Sequence, residues 1–116
     1  MTAVIPYIGI KLTFISVSFY IIIGICKIKL RIPHNASLKD KRRVLKSIVS
    51  QLKNKFNIAV AEVEDQELWQ MATLGVCSVS NDSRFSNEVM SKVVDFVNNS
   101  RFDVELLDYN IEIIPY

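Results

Sequence analysis

From Ser37 to Asn57 the chain carries one helical apolar face: Leu38, Leu45, Ile48, Val49, Leu52 and Phe56 recur at separations of three, four and seven residues. Ser37 reads as its N-cap, and Asp40 three residues on completes an S-x-x-D capping box. On a helical wheel Lys39, Arg43, Lys46 and Lys53 form a stripe beside the apolar one, with Arg42 at its margin. A helix so divided must lie on an apolar surface, and its flanking segments offer one with a different period.

Cys26, Ile28, Leu30 and Ile32 alternate with Lys27, Lys29 and Arg31, the period-2 pattern of a half-buried strand with a basic outer face. Pro33 ends that strand, and His34-Asn35-Ala36 leads into the cap. Ile58 to Glu64 reads as a second strand, with Ala59, Ala61 and Val63 opposing Val60, Glu62 and Glu64. Asp65 to Gln70 connects it to a third strand, Met71 to Val79, whose uniformly apolar character predicts a central position. Asn81-Asp82-Ser83 is turn and cap chemistry, and Val89, Val93, Phe96 and Val97 mark a second helix to about Asn99. The last strand is expected from Val104 to Ile114, with Leu107, Tyr109, Ile111 and Ile113 inward and Asp108, Asn110 and Glu112 outward. The order β-α-β-β-α-β predicts an α+β, ferredoxin-like domain: a four-stranded antiparallel sheet with two helices on one face.

That unit accounts for residues 22–116. Residues 1–21 read as an apolar N-terminal extension carrying Lys11 as its single charge. Only fifteen uncharged residues separate Lys11 from Lys27, short of the roughly 20 that cross a bilayer. A span over residues 1–22 would place Lys11 mid-membrane, and Ile23 to Ile32 is needed as a strand. An appended or start-site segment is therefore preferred to a membrane tether, and the domain is expected to be cytoplasmic. Cys26 and Cys77 lie too far apart for a zinc pattern and are both expected to be buried free thiols.

The net charge of +2 conceals a segregation. Residues 27–55 hold ten of the fourteen Lys and Arg against Asp40 alone, whereas eleven acids and three bases follow from Phe56 onward. The first part could attract an anion and the second repel it; the alternative is that the two halves neutralise each other in the fold.

With these elements in place, the runs S-L-K-D-K-R-R-V-L-K-S, F-N-I-A-V-A-E-V, L-W-Q, V-S-N-D and L-L-D-Y, in this order, resemble the bacterial YlxP-like family, a domain of unknown function. The resemblance covers about Ile22 to Ile114. It implies a ferredoxin-like fold and a cytoplasmic location. It also implies a setting among genes of translation initiation and ribosome maturation, including ribosome-binding factor A, and so favours RNA or a ribosomal partner. It brings no catalytic residues.

Three glycines leave no Gly-rich phosphate loop and no GxxG clamp. His34, the single histidine, reads as an exposed turn residue and not a general base. Glu62, Glu64, Asp65 and Glu67 read as solvated edge charges in preference to a divalent-cation site. No enzyme, cofactor, metal or small-molecule substrate is expected. Aromatic stacking on the sheet is excluded because the outward positions of the first strand are Lys27, Lys29 and Arg31, and the third strand has no aromatic. Those strand cations are expected to pair with Asp108 and Glu112 across the sheet. The remaining candidate is phosphate binding by Lys39, Arg42, Arg43, Lys46 and Lys53. Trp69 suits an anchor pinning its loop, with a partner-facing hot spot as the other reading. Two functions follow: contact with structured RNA or a ribosomal particle through the helix stripe, or a homo-oligomeric protein-interaction module without nucleic-acid binding. The second would self-associate through the open sheet face or a strand edge and use Trp69 and the acidic hairpin to engage a protein.

Overall fold

The chain is described by a computed structural model over residues 21–34 and 36–116. The expected extension over residues 1–21 lies, Ile21 apart, outside the described residues, as does Asn35.

Six elements follow in the expected order: β1 (Ile22–Arg31), α1 (Leu38–Lys55), β2 (Ala59–Glu64), β3 (Met71–Ser80), α2 (Ser83–Asn98) and β4 (Glu105–Pro115). The strands form one sheet in the order β2-β3-β1-β4, every neighbouring pair antiparallel. β1 and β3 are thus central, as the apolar run of β3 predicts, and β2 and β4 are edges. This is the ferredoxin-like arrangement.

The core fills the space between one sheet face and both helices. Cys26, Ile28 and Leu30 of β1 and Ala72, Leu74 and Val76 of β3 meet Leu45, Ile48 and Leu52 of α1 and Met90, Val93 and Val97 of α2. Each helix start is capped by side-chain chemistry. Ser37 Oγ accepts from Asp40 N–H at 3.1 Å, and Asp40 reaches back to the N–H of Ala36 at 3.4 Å. Asp82 Oδ1 accepts from the N–H groups of Arg84 and Phe85 at 2.9 and 3.2 Å. α1 stops two residues short of Asn57 because Phe56 takes an extended backbone and sets its ring edge-on to Phe96 of α2, 6.1 Å between centroids.

Two bulges break the simple alternation. In β2 the register against β3 shifts between Glu62 and Glu64, so Val63 and Glu64 both turn to the outer face. Val63 lies directly over Gly75, where a Cβ would stand 2.9 Å from Val63 Cγ1. In β4 the shift opposite Lys29 and Leu30 makes Leu107 the extra residue. Leu106, not Leu107, pairs with Leu30 and packs on the core, and Leu107 is exposed. The expected inward position of Leu107 is corrected by that one-residue slip. Tyr109 does lie opposite Ile28, yet at the sheet edge half its surface stays open.

Cys26 is fully buried, but Cys77 is exposed, which corrects the expectation for the second thiol. β3 is apolar on both of its faces, and Cys77 lies on the one that no helix covers. No helix among the described residues is long and apolar enough to cross a membrane.

Candidate nucleic-acid interface

Every cation of β1 meets a carboxylate. Lys27 Nζ is 3.0 Å from Glu64 Oε2, Lys29 Nζ 3.7 Å from Asp65 Oδ2, and Arg31 Nη1 3.2 Å from Glu105 Oε1. The strand cations are therefore neutralised, but not by the expected partners. Asp108 does stand opposite Lys29, whereas Glu112 stands opposite Ile25. Two of the three carboxylates come instead from the β2–β3 hairpin, because the bulge at Val63 swings Glu64 onto the outer face.

The hairpin acids are correspondingly engaged. Asp65 Oδ2 also accepts from Thr73 Oγ1 at 2.7 Å, and Glu62 Oε2 lies 2.9 Å from Lys41 Nζ. Glu62 and Asp65 are thus drawn into internal contacts, whereas Glu64, paired with Lys27 on the open face, and Glu67 are the solvated charges expected. Among the described residues no group of His, Cys, Asp or Glu is arranged to hold a metal ion.

Lys41 is the functional-looking residue that inspection of the stripe passes over. It is 1% exposed, and its ammonium donates to the carbonyls of Asp65 at 2.8 Å, Gln66 at 3.2 Å and Met71 at 3.1 Å. Its three protons are taken by these carbonyls, so the approach to Glu62 is a charge contact without an aligned hydrogen bond. The signal was present in the sequence: Lys41 precedes Leu45 by four residues and Ile48 by seven, placing a charge on the apolar arc. Asp65, which receives this lysine, has a left-handed backbone (φ 63°), and its carbonyl also accepts from Leu68 N–H at 3.0 Å. The loop between β2 and β3 is therefore pinned by Lys41. Trp69 is 54% exposed and Leu68 49%.

The five stripe residues behave differently. Lys39, Arg42, Arg43, Lys46 and Lys53 are all exposed, and none forms an ion pair with a carboxylate among the described residues. Arg43 shares a shallow recess with His34, Asp40 and Asp103. His34 Nε2 itself stands 3.5 Å from Asp103 Oδ2, both side chains largely exposed. Lys39 to Lys53 spans about 21 Å of helix at roughly 1.5 Å per residue. Lys55, outside the stripe, places its ammonium 5.7 Å from the Phe96 ring of α2. Lys46 is nine residues away, about half a turn around the helix, so the stripe points away from α2.

The uncovered sheet face divides into two ends. One carries the paired charges around Lys27, Lys29 and Glu64. The other is apolar, with Val79 69% exposed and Ile25, Ile114 and Val63 also open, beside exposed Ala59, Ala61 and Cys77. Its signal in the sequence is the alternation Gly75, Cys77, Val79 along β3, which gives that strand a second apolar face.

The family described as "Protein of unknown function (DUF503)" matches residues 23–111. The chain is 32% identical over 77 residues to the uncharacterized protein YlxP of Bacillus subtilis (strain 168), covering 66% of this chain and 84% of that one. Among solved structures, the de novo designed protein Ferredog-Diesel aligns at TM-score 0.40 and 8% identity, over 78% of this chain and 83% of its own. An amidase of the hydantoinase/carbamoylase family from Burkholderia phymatum aligns at TM-score 0.40 and 13% identity, over 84% of this chain and 29% of its own. Likeness at that level bears on neither activity nor partners. The family match spans more than half of the sequence, and the chain belongs to the DUF503 family of proteins of unknown function.

Proposed function

We propose that this domain is a non-enzymatic, cytoplasmic RNA-binding module that lays the α1 stripe along the phosphates of structured RNA or a ribosomal particle. The observation that supports the reading is a contrast within one molecule. The cations of β1 are each matched by a carboxylate, whereas Lys39, Arg42, Arg43, Lys46 and Lys53 are exposed and unmatched among the described residues. Exposed cations without internal partners are the groups that release counterions when they meet phosphate. The translation setting implied by the family resemblance agrees with this.

A salt titration tests it. Four phosphate contacts give a log–log slope of about −3, so affinity for structured RNA falls roughly fifty- to a hundredfold between 50 and 200 mM salt. A binding curve flat in salt would remove the stripe from the function.

A second reading, a homo-oligomeric protein-interaction module without nucleic-acid binding, is favoured by the apolar end of the open sheet face. Val79, Ile25 and Ile114 would seat against the same residues of a second copy in an isologous sheet-on-sheet contact. The engaged state of Glu62, Glu64 and Asp65 leaves the acidic hairpin less to offer a protein partner. Light scattering separates the readings: a salt-insensitive dimer that ignores RNA supports the second.

A further inference from the structure

We propose that the recess beside Arg43 is a nucleobase site, taking an unpaired guanine of an RNA whose neighbouring phosphates lie on the α1 stripe. The inference rests on the RNA-binding reading and adds which base that site selects.

Arg43 is at once a stripe residue and a wall of the recess, which lies between the start of α1 and the loop before β4 and is also lined by Ile32, His34, Asp40, Val44 and Asp103. Lys39 stands four residues before Arg43 and Lys46 three after it, one helical turn to either side on the same face. A strand held by these two lysines therefore passes the mouth of the recess. Ile32 and Val44 make part of its wall apolar. Its volume of about 250 Å³ falls just below the roughly 300–1,000 Å³ of clefts that enclose a whole small molecule, which leaves room for a single ring system.

The polar groups decide which ring. Asp40 and Asp103 bring two carboxylates to the recess, which repel a phosphate but accept from the N–H groups of an uncharged base. Asp40 Oδ2 is turned to the N–H of Ala36 at 3.4 Å, so Asp103 is the freer acceptor. His34 Nε2 faces Asp103 Oδ2 at 3.5 Å, and that carboxylate keeps lone pairs on both oxygens for further donors. Arg43 forms no ion pair among the described residues. Its planar fork matches O6 and N7 of guanine. A carboxylate matches the N1–H and 2-amino groups on the adjoining edge, two donors side by side. Adenine and cytosine set one amino donor beside a ring acceptor, and uracil sets one N–H between two carbonyls, so guanine alone satisfies both side chains. Recognition of this kind reads base edges and needs no aromatic on the sheet.

Three RNA hairpins test the assignment, identical in stem and with loops of adenosine except at one position, which is guanosine, inosine or adenosine. Inosine keeps O6, N7 and N1–H and lacks the 2-amino group. The full chain is titrated with each at 50 mM salt by fluorescence anisotropy. The guanosine loop should bind about five- to a hundredfold more tightly than the adenosine loop, with inosine between them. Asp103→Asn and Arg43→Lys should each lower the guanosine-to-adenosine ratio, the lysine because it keeps a cation and loses the fork. The ratio is the readout because it cancels the phosphate contacts that all three hairpins share. Thermal melts establish that the variants are folded, and the wild-type comparison stands by itself. If the wild type does not distinguish guanosine from inosine and adenosine, or if either variant keeps the wild-type ratio, the guanine site is overturned while the stripe reading stands. If no hairpin binds, both are overturned.

Discussion

Lys41 Nζ lies 2.9 Å from Glu62 Oε2, joining the inner side of α1 to edge strand β2 through a lysine that water scarcely reaches. The contact is unlike the ion pairs of the outer sheet face, whose side chains are largely exposed. Exposed pairs of that kind contribute little, typically below about 1 kcal/mol. A desolvated ammonium is different, because removing it strands the groups arranged around it.

Lys41→Ala should therefore lose about 3–5 kcal/mol of stability in urea denaturation. It leaves Glu62 Oε2 without its neighbouring cation, takes a donor from the carbonyls of Asp65, Gln66 and Met71, and loosens the β2–β3 loop. Lys41→Met combined with Glu62→Gln should recover part of that loss, since the uncompensated carboxylate is gone. A loss under 1 kcal/mol for Lys41→Ala would mean that water replaces the ammonium at little cost.

Replacing Lys39, Arg43 and Lys46 together with Ser should reduce the magnitude of the RNA salt slope by about 2 to 3, close to one unit per lost phosphate contact. Stability should move by no more than about 0.5 kcal/mol per site, because each side chain is exposed. Filter binding across a salt series, with urea melts alongside, gives both quantities. An unchanged slope would leave the stripe as plain solvated surface.

Val79→Glu tests the open sheet face. Val79 is paired in register with Ile23, so the substitution places a carboxylate in the middle of the apolar end without touching the helix-side core. If copies associate through this face, light scattering should show the dimer mass of the wild type fall to that of the monomer. A wild type that is monomeric at all concentrations would end the second reading.

The cysteines differ in reactivity and in what they do to the pH dependence of folding. Cys77 should react with a thiol reagent in the native state, and Cys26 only on unfolding. Burial pushes the Cys26 thiol up to about 11, the hydrogen bond from the Asn110 backbone opposing it only in part. The unfolded chain ionises this thiol near pH 9 and the folded chain does not until near 11. Its contribution is thus fully present below pH 9 and erodes as pH rises toward 11, by at most roughly 2–3 kcal/mol. Urea melts at pH 8 and 10.5 should show a smaller loss for Cys26→Ala than for the wild type.

Element types, their order and the caps at Ser37 and Asp82 were legible along the chain, because helix and strand periods follow from local backbone geometry. The exposure of Lys39, Arg42, Arg43, Lys46 and Lys53 was legible for the same reason: wheel position on a known helix settles which side meets the core. Lys41 was half legible, since its place on the apolar arc is local but its carbonyl partners lie twenty-four to thirty residues away. Which acid meets Lys27, which of Leu106 and Leu107 turns inward, and which cysteine is covered depend on two bulges and on the side of the sheet the helices occupy. Pairing register and layer packing bring together residues distant in sequence, and no local period encodes them. The amino-acid order alone thus determined the architecture and the basic stripe, whereas only the folded molecule decided which charges were already satisfied and which were left exposed.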